Sequence, residues 1–125
     1  MQDGKNVILC IDDDEDIRLI LQTLLTANGY IAEVASSAEE GLRLYKKCNP
    51  DLLIVDLMME EIDAGTSLVT ELKAQGNTAP VYMLSSMGDN LSVTTDYTAL
   101  GLAGVFQKPI DNDRLLSIIK AKLGD

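Results

Sequence analysis

The chain contains no histidine and no tryptophan, and its 125 residues include only one phenylalanine, three prolines and two cysteines. Without histidine there can be no Ser-His-Asp or Cys-His nucleophile system, and a zinc site rich in histidine or cysteine is not expected. Cys10 lies in an apolar run and Cys48 ends a helical pattern, so both are expected to be buried free thiols in a reducing compartment. Carboxylates, hydroxyls and lysines remain for chemistry.

Basic residues are also scarce, because 10 Lys and Arg face 20 Asp and Glu, for a formal net charge of −10. This acidity argues against binding to nucleic acid, where Lys and Arg must neutralise phosphates, and against an anionic membrane surface. No apolar run approaches the roughly 20 residues that a membrane span requires, and residues 1–6 lack the apolar segment of a secretory signal. We therefore expect a cytoplasmic protein that binds neither nucleic acid nor membrane.

Apolar runs alternate with helical patterns five times along the chain, and no repeat or linker divides it. Hydrophobic residues make up 46% of the sequence, which suffices for the core of a single domain over residues 1–125. The predicted strands cover residues 7–11, 31–35, 52–55, 81–84 and 105–107. The predicted helices cover residues 14–28, 37–48, 66–75 and 89–102, and a fifth follows Asp111. The strand at 52–55 is the most apolar and is expected to be central.

Such alternation implies an α/β fold with a parallel sheet and helices on both faces, because right-handed crossovers keep the strands parallel. The ligand site of such a sheet lies outside the carboxyl ends of its strands. Four strands deliver polar or charged groups to this edge: Asp12-Asp13, Asp56, Ser85-Ser86 and Lys108-Pro109. Three converging carboxylates repel one another unless a cation intervenes. We therefore expect Mg²⁺ and a lysine there, in a site suited to phosphoryl transfer.

These residues resemble the receiver domain of two-component response regulators, and in particular single-domain regulators of the chemotaxis type. The matching segments are ILCIDDDED at 8–16, DLLIVDLMM at 51–59, VYMLSS at 81–86 and FQKP at 106–109. The resemblance covers about residues 6–123. It implies a doubly wound, five-stranded parallel sheet of the (βα)5 flavodoxin-like type with strand order 2-1-3-4-5.

The resemblance also implies a metal site. Asp13 would ligate Mg²⁺ directly, Asp12 would assist through water, and Asp56 and the backbone carbonyl of Met58 would complete the protein ligands. The acidic residues 14–16 that follow are interpreted instead as an exposed helix start, where negative charge favours the helix dipole.

The implied chemistry centres on Asp56, the phosphoacceptor. Ser85 would hydrogen-bond the phosphoryl oxygen, and Lys108 would pair with the phosphoryl group. The donor would be a sensor histidine kinase or a phosphotransfer protein, and phosphorylation would change the face that binds a downstream protein target. On this hypothesis the protein is not an enzyme, since it catalyses only its own phosphorylation and dephosphorylation.

Three positions depart from the family pattern. Glu60 replaces a usual proline, Ala64 replaces a usual glycine, and Val105 stands where an aromatic ring often swings inward on activation. Phe106 alternates to the other face of the sheet and cannot replace that ring. We expect the phosphoryl chemistry to be retained despite these departures. We also expect the loop 58–65 and the helix at 89–102 to take a larger part in the conformational change that follows phosphorylation.

Two other functions remain open. A small Mg²⁺-dependent phosphatase with an aspartyl nucleophile would commonly use a second Asp two residues after Asp56, where Met58 stands. A degenerate receiver could act only as a binding module, although Asp13, Asp56 and Lys108 are all present. No output domain follows Asp125, so DNA binding by this chain is not expected. The chain is either a stand-alone receiver or one domain of a longer regulator.

Overall fold

The sheet is the part of the molecule that positions the predicted site. The computed structural model describes residues 4–56, 70–86, 102–108 and 110–124. Within these ranges the strands are β1 (Val7–Ile11), β2 (Ile31–Ala35), β3 (Leu52–Asp56), β4 (Val81–Ser86) and β5 (Gly104–Lys108). All neighbouring strands pair in parallel, in the order β2-β1-β3-β4-β5. The predicted architecture and strand order are confirmed, and β3, the predicted central strand, lies in the middle of the sheet.

Helices cover both faces of this sheet. They are α1 (Glu15–Ala27), α2 (Ala38–Cys48) and the C-terminal helix (Asn112–Leu123), and residues 70–74 are also helical. Of the predicted helix at 89–102 only Leu102 is described, and it is not helical. None of the helices in the described part of the chain is long and apolar enough to cross a membrane.

Alternate residues of the strands feed two separate hydrophobic cores. On one face, α1 and the C-terminal helix pack with Leu21, Leu25, Leu115 and Ile119 against Ile8, Cys10, Ile54 and Leu84. On the other face, α2 and Leu72 pack against Leu9, Ile11, Leu53, Val55 and Met83. Every residue of β1 and β3 is buried, because a central strand of a parallel sheet is covered on both sides. Burial on both faces explains why the sequences of β1 and β3 contain continuous apolar runs.

Local signals set the helix boundaries as the sequence predicts. Gly29 has a φ of 87°, and the N–H groups of Gly29 and Tyr30 donate to carbonyls in the last turn of α1, at 3.2 and 3.0 Å. These two bonds form a Schellman motif, which satisfies carbonyls that the helix leaves open. Ser37 caps α2 by accepting a hydrogen bond from the N–H of Glu40 at 3.2 Å. Asp111 caps the C-terminal helix in the same way.

Three strands are longer than predicted at their carboxyl ends. Asp56 is the last residue of β3, β4 continues through Ser85 to Ser86, and β5 continues to Lys108. The apolar pattern stops earlier because the residues at these strand ends are polar. The backbone pairing continues, with Ser85 opposite Gln107 and Ser86 opposite Lys108. Asp56, Ser85 and Lys108 are therefore carried by strand backbone, whereas Asp12 and Asp13 directly follow β1.

Candidate functional site

Three carboxylates meet at the carboxyl edge of the two central strands. Ile11 pairs with Val55 across β1 and β3, so the next residues, Asp12 and Asp56, lie side by side at this edge of the sheet. Together with Asp13 they offer carboxylate oxygens that all lie within 4.8 Å of one another. Asp12 and Asp56 are 0% and 3% exposed, whereas Asp13 is exposed. The sheet register brings these three predicted site residues together.

The donor set of this cluster fits a hard divalent cation. Two like charges buried side by side are costly unless a cation or hydrogen-bond donors offset them. All three side chains present oxygen, which is the ligand that Mg²⁺ prefers, and Mg²⁺ is usually held by one or two carboxylates with waters and phosphate oxygens. Such an ion could therefore be held by Asp12, Asp13 and Asp56. Because Asp13 is exposed, the ion would enter from the solvent at this residue.

The backbone around Asp12 is held by its neighbours. Its N–H donates to the carbonyl of Ala35 at 3.0 Å, which extends the pairing of β1 with β2 by one residue. One carboxylate oxygen accepts the N–H of Asp14 at 2.9 Å. Asp14 in turn caps α1, since its carboxylate accepts the N–H groups of Asp16 at 2.9 Å and Ile17 at 3.5 Å. The prediction that residues 14–16 form a helix start, separate from the carboxylates of the site, is confirmed.

Arg18 also belongs to this region, although the motifs of the sequence do not include it. Arg18 Nη1 donates to the backbone carbonyl of Asp12 at 2.8 Å. A usable signal exists, because Arg18 is the only basic residue between positions 6 and 42 and follows an unbroken acidic run at 12–16. Charge counting alone does not reveal the contact, because its acceptor is a main-chain carbonyl six residues earlier.

The strands β4 and β5 bring the other two predicted residues to the same edge. Asp56 pairs with Leu84, so Ser85 follows one residue beyond the level of Asp56 on the adjacent strand. Lys108 pairs with Ser86 on the next strand outward. The backbone thus places Ser85 and Lys108 at the edge where the carboxylates meet. Met58, Pro109 and the loop 58–65 lie outside the described residues.

Comparison with known proteins identifies the family. Residues 8–120 match the response regulator receiver domain. The chain belongs to this family. Receiver domains are signalling domains of two-component systems rather than enzymes, and they work with histidine kinases and downstream targets.

Relatives of this receiver domain include both short and long proteins. It is 34% identical over 119 residues to the chemotaxis protein CheY of Bacillus subtilis, which covers 93% of this chain and 96% of CheY. It is 32% identical over 116 residues to the response regulator MprA of Mycobacterium leprae, covering 93% of this chain and 50% of MprA. The chain spans half or less of several curated relatives, and only 36% of the ycf27 protein of Porphyra purpurea.

Solved structures agree with this assignment. The chemotaxis response regulator CheY4 of Vibrio cholerae superposes with a TM-score of 0.82 at 25% identity, over 94% of this chain and 98% of CheY4. The receiver domain of NtrX from Brucella abortus has the same TM-score and coverage at 28% identity.

In this receiver domain the aromatic residue of β5 faces away from the α2 side of the sheet. Val105 packs against the core that includes Leu9 and Met83. Phe106 lies in the opposite core and stacks on Tyr82, with ring centroids 4.9 Å apart and an interplanar angle of 23°. The predicted alternation of Val105 and Phe106 is confirmed. The aromatic pair therefore stabilises the face covered by α1 and the C-terminal helix.

The two cysteines of the receiver domain play no part in the site chemistry. Both are free and buried, as predicted. Burial, with a smaller contribution from the charge of Asp12, raises the pKa of Cys10 to about 12. Burial also raises the pKa of Cys48, and the charge of Glu33 adds to this. Because the thiolate is the reactive form of cysteine, both residues behave as small apolar side chains at neutral pH.

Proposed function

We propose that this receiver domain accepts a phosphoryl group on Asp56 from a histidine kinase or a phosphotransfer protein, in a Mg²⁺-dependent reaction. The proposed metal ligands are Asp12, Asp13, Asp56 and the backbone carbonyl of Met58. The observation that carries the proposal is the convergence of three carboxylates within 4.8 Å at the carboxyl edge of β1 and β3. Two of the three are buried, which is a costly arrangement for a fold to keep without a ligand.

The proposed reaction starts at the carboxylate of Asp56. One of its carboxylate oxygens attacks the phosphorus of the donor, and an acyl phosphate bond forms. The bond from phosphorus to the donor breaks, and the leaving group takes the electron pair. A bound Mg²⁺ would neutralise charge on the transferred oxygens. The backbone pairing of Asp56 at the end of β3 would hold the nucleophile in position for this attack.

Ser85 and Lys108 are proposed to receive the transferred group. A phosphoryl group adds negative charge and strong acceptor oxygens. Lys108 supplies the opposite charge, and Ser85 supplies a hydroxyl donor from the strand next to Asp56. The attraction between these two side chains and the phosphoryl group is proposed to change the face that binds a downstream protein target.

Helix α1, which follows the acidic segment, exposes two large apolar side chains. Leu19 and Ile20 of α1 are 60% and 43% exposed, and α1 begins at the acidic segment that carries the metal ligands. We take this apolar surface as the place where the phosphoryl donor rests. Residues 1–125 would thus act as one receiver domain in the cytoplasm that contacts proteins and neither nucleic acid nor membrane.

The test is phosphorylation with acetyl phosphate, followed by intact mass. Wild-type protein with Mg²⁺ should gain one phosphoryl group, and the gain should vanish with a chelator or in Asp56→Asn, which keeps the shape but cannot form the acyl phosphate. Equal labelling of the wild type and Asp56→Asn would place the acceptor elsewhere. Sustained turnover of a phosphate ester by the wild type would favour the phosphatase alternative, and absence of both activities would favour a binding module.

A further inference from the structure

A single arginine spans the connection between β1 and α1, formed by Asp12, Asp13 and Asp14. The main-chain N–H of Arg18 donates to the carbonyl of Asp14 at 3.1 Å, which closes the first turn of α1. Its side chain reaches back along the helix, as long helical side chains do, and Nη1 donates to the carbonyl of Asp12 at 2.8 Å. One residue therefore contacts both ends of the segment that supplies two of the three clustered carboxylates.

The carbonyl that Arg18 contacts controls the direction of the chain at Asp13. It belongs to the peptide unit that joins Asp12 to Asp13, and a peptide unit is planar. A hydrogen bond on the oxygen therefore fixes the rotation of the whole plane, including the point at which the Asp13 main chain begins. Asp12 is fully buried and held by Ala35 and Asp14. Asp13 is exposed, so packing constrains it far less.

We propose that Arg18 is a positioning residue for the metal: by holding the carbonyl of Asp12, it fixes the orientation of Asp13 relative to Asp12 and Asp56. This inference rests on the proposed function, because it assumes that the three carboxylates bind Mg²⁺. Residues that orient metal ligands without touching the metal commonly change its affinity when they are replaced. Arg18 contacts the ligand segment through the main chain and fits this role.

A second role for Arg18, compensation of charge, makes the opposite prediction. Its guanidinium lies beside an acidic cluster, and a cation at this place repels Mg²⁺ as well as attracting carboxylates. If charge were its whole contribution, removing it would tighten Mg²⁺ binding, and a lysine would replace it without effect. If Arg18 positions Asp13, both changes weaken Mg²⁺ binding, because neither side chain reproduces the planar guanidinium fork.

The experiment is a calorimetric Mg²⁺ titration of the unphosphorylated wild type, Arg18→Lys and Arg18→Gln. The matched control is Arg43→Gln, which removes the same charge from an exposed position on α2, on the opposite face of the sheet. We expect both Arg18 variants to bind Mg²⁺ more weakly by on the order of 10-fold, and Arg43→Gln to bind as the wild type does. Thermal unfolding without Mg²⁺ checks that each variant is folded, and Arg18→Lys is the milder change.

A second measurement separates a metal effect from general damage. Labelling with acetyl phosphate should be slow in the Arg18 variants at low Mg²⁺ and should return to the wild-type rate at saturating Mg²⁺. Tighter Mg²⁺ binding by Arg18→Gln with unchanged Arg18→Lys would overturn positioning in favour of charge. Wild-type affinity in both variants, while Asp13→Asn loses Mg²⁺, would overturn the inference and leave the proposed function standing. Failure of the wild type to bind Mg²⁺ would overturn both.

Discussion

The chain passes from strand to helix in two neighbouring places at the same edge of the sheet, and it builds them differently. After β1, residues 12–14 are three aspartates, with Asp12 buried and Arg18 bound to its carbonyl. After β2, Ser36 and Ser37 make the same passage, and no charged residue lies between the strand and the helix. The two connections touch, since the N–H of Asp12 donates to the carbonyl of Ala35.

Both connections perform the same structural task by different means. Asp14 caps α1 with its carboxylate, and Ser37 caps α2 with its hydroxyl. At the second connection the Glu40 carboxylate also accepts the N–H of Ser36 at 2.9 Å, so this carboxylate serves the backbone. At the first connection Asp14 caps α1 and one oxygen of Asp12 accepts the N–H of Asp14, while Asp12 and Asp13 also belong to the carboxylate cluster with Asp56. Each helix start thus uses two side-chain acceptors, and the first differs from the second because its carboxylates also meet Asp56.

The substitution expected to have the largest effect on the difference between the two connections is Asp12→Asn. The amide oxygen can still accept the N–H of Asp14, so the connection should fold. We expect Mg²⁺ affinity to fall by on the order of 10- to 100-fold. We also expect the melting temperature without Mg²⁺ to rise, because one of two neighbouring buried carboxylates is gone. Calorimetric titration and thermal unfolding measure the two effects.

The matched change at the second connection is Ser37→Ala. It removes an N-cap acceptor and should lower the free energy of unfolding by about 1 kcal/mol, with no change in Mg²⁺ affinity. A loss of Mg²⁺ binding in Ser37→Ala, or its retention in Asp12→Asn, would show that the two connections do not divide their tasks as described.

A change of intermediate size tests how closely the second helix approaches the first connection. A Cβ at Gly41 of α2 would lie 2.9 Å from Cγ1 and 3.3 Å from Cγ2 of Ile11, the residue before Asp12. Helix propensity alone predicts that Gly41→Ala gains about 1 kcal/mol, but overpacking costs about 1–3 kcal/mol. We expect a net loss of stability in denaturant unfolding.

The double variant Gly41→Ala with Ile11→Val sharpens this test. Valine lacks the Cδ1 methyl group that would clash most closely with the new Cβ, so the double variant should recover part of the stability that Gly41→Ala loses. Ile11→Val alone is the reference. If Gly41→Ala is more stable than the wild type, the packing of α2 on β1 is looser than described.

The smallest expected effect concerns Cys10, two residues before Asp12. Its ordinary pKa of 9.0 is raised to about 12 in the folded protein, so the unfolded chain loses this proton first. The contribution of this thiol to the free energy of unfolding is therefore fully present below pH 9 and declines as the pH rises towards 12. Denaturant unfolding of the wild type and Cys10→Ala should show a steeper alkaline decline in the wild type. Parallel pH profiles would contradict the raised pKa.

The sheet could be predicted from the sequence because its signals are local and strong. The apolar runs of β1 and β3 and the turn residue Gly29 each have one physical explanation. The strand order came from the family resemblance, since apolar runs do not specify which strands pair. Strand ends were placed too early at Asp56, Ser86 and Lys108, because hydrogen bonding of the backbone continues where apolar side chains stop.

The candidate site was predictable in part. The convergence of Asp12, Asp13 and Asp56 follows from parallel strands that end at one edge, and the structure brings these carboxylates together. The sequence singles out Arg18 as an isolated basic residue after an acidic run, but it does not predict which atom Arg18 contacts, because a bond to a main-chain carbonyl six residues earlier leaves no repeating pattern. The switch expected from the loop 58–65 and the helix at 89–102 stays a prediction.

The two strands that build the carboxylate cluster are neighbours in the sheet but not in the chain, because α1, β2 and α2 lie between them. During folding, the cluster can therefore form only when β1 and β3 pair over this long separation, a step that is slow in parallel sheets. That pairing also brings the acidic side chains together and is opposed by their repulsion. A divalent cation that binds only the paired strands would favour the folded state by mass action. Refolding would then be most sensitive to Mg²⁺ at the moment when the two strands meet.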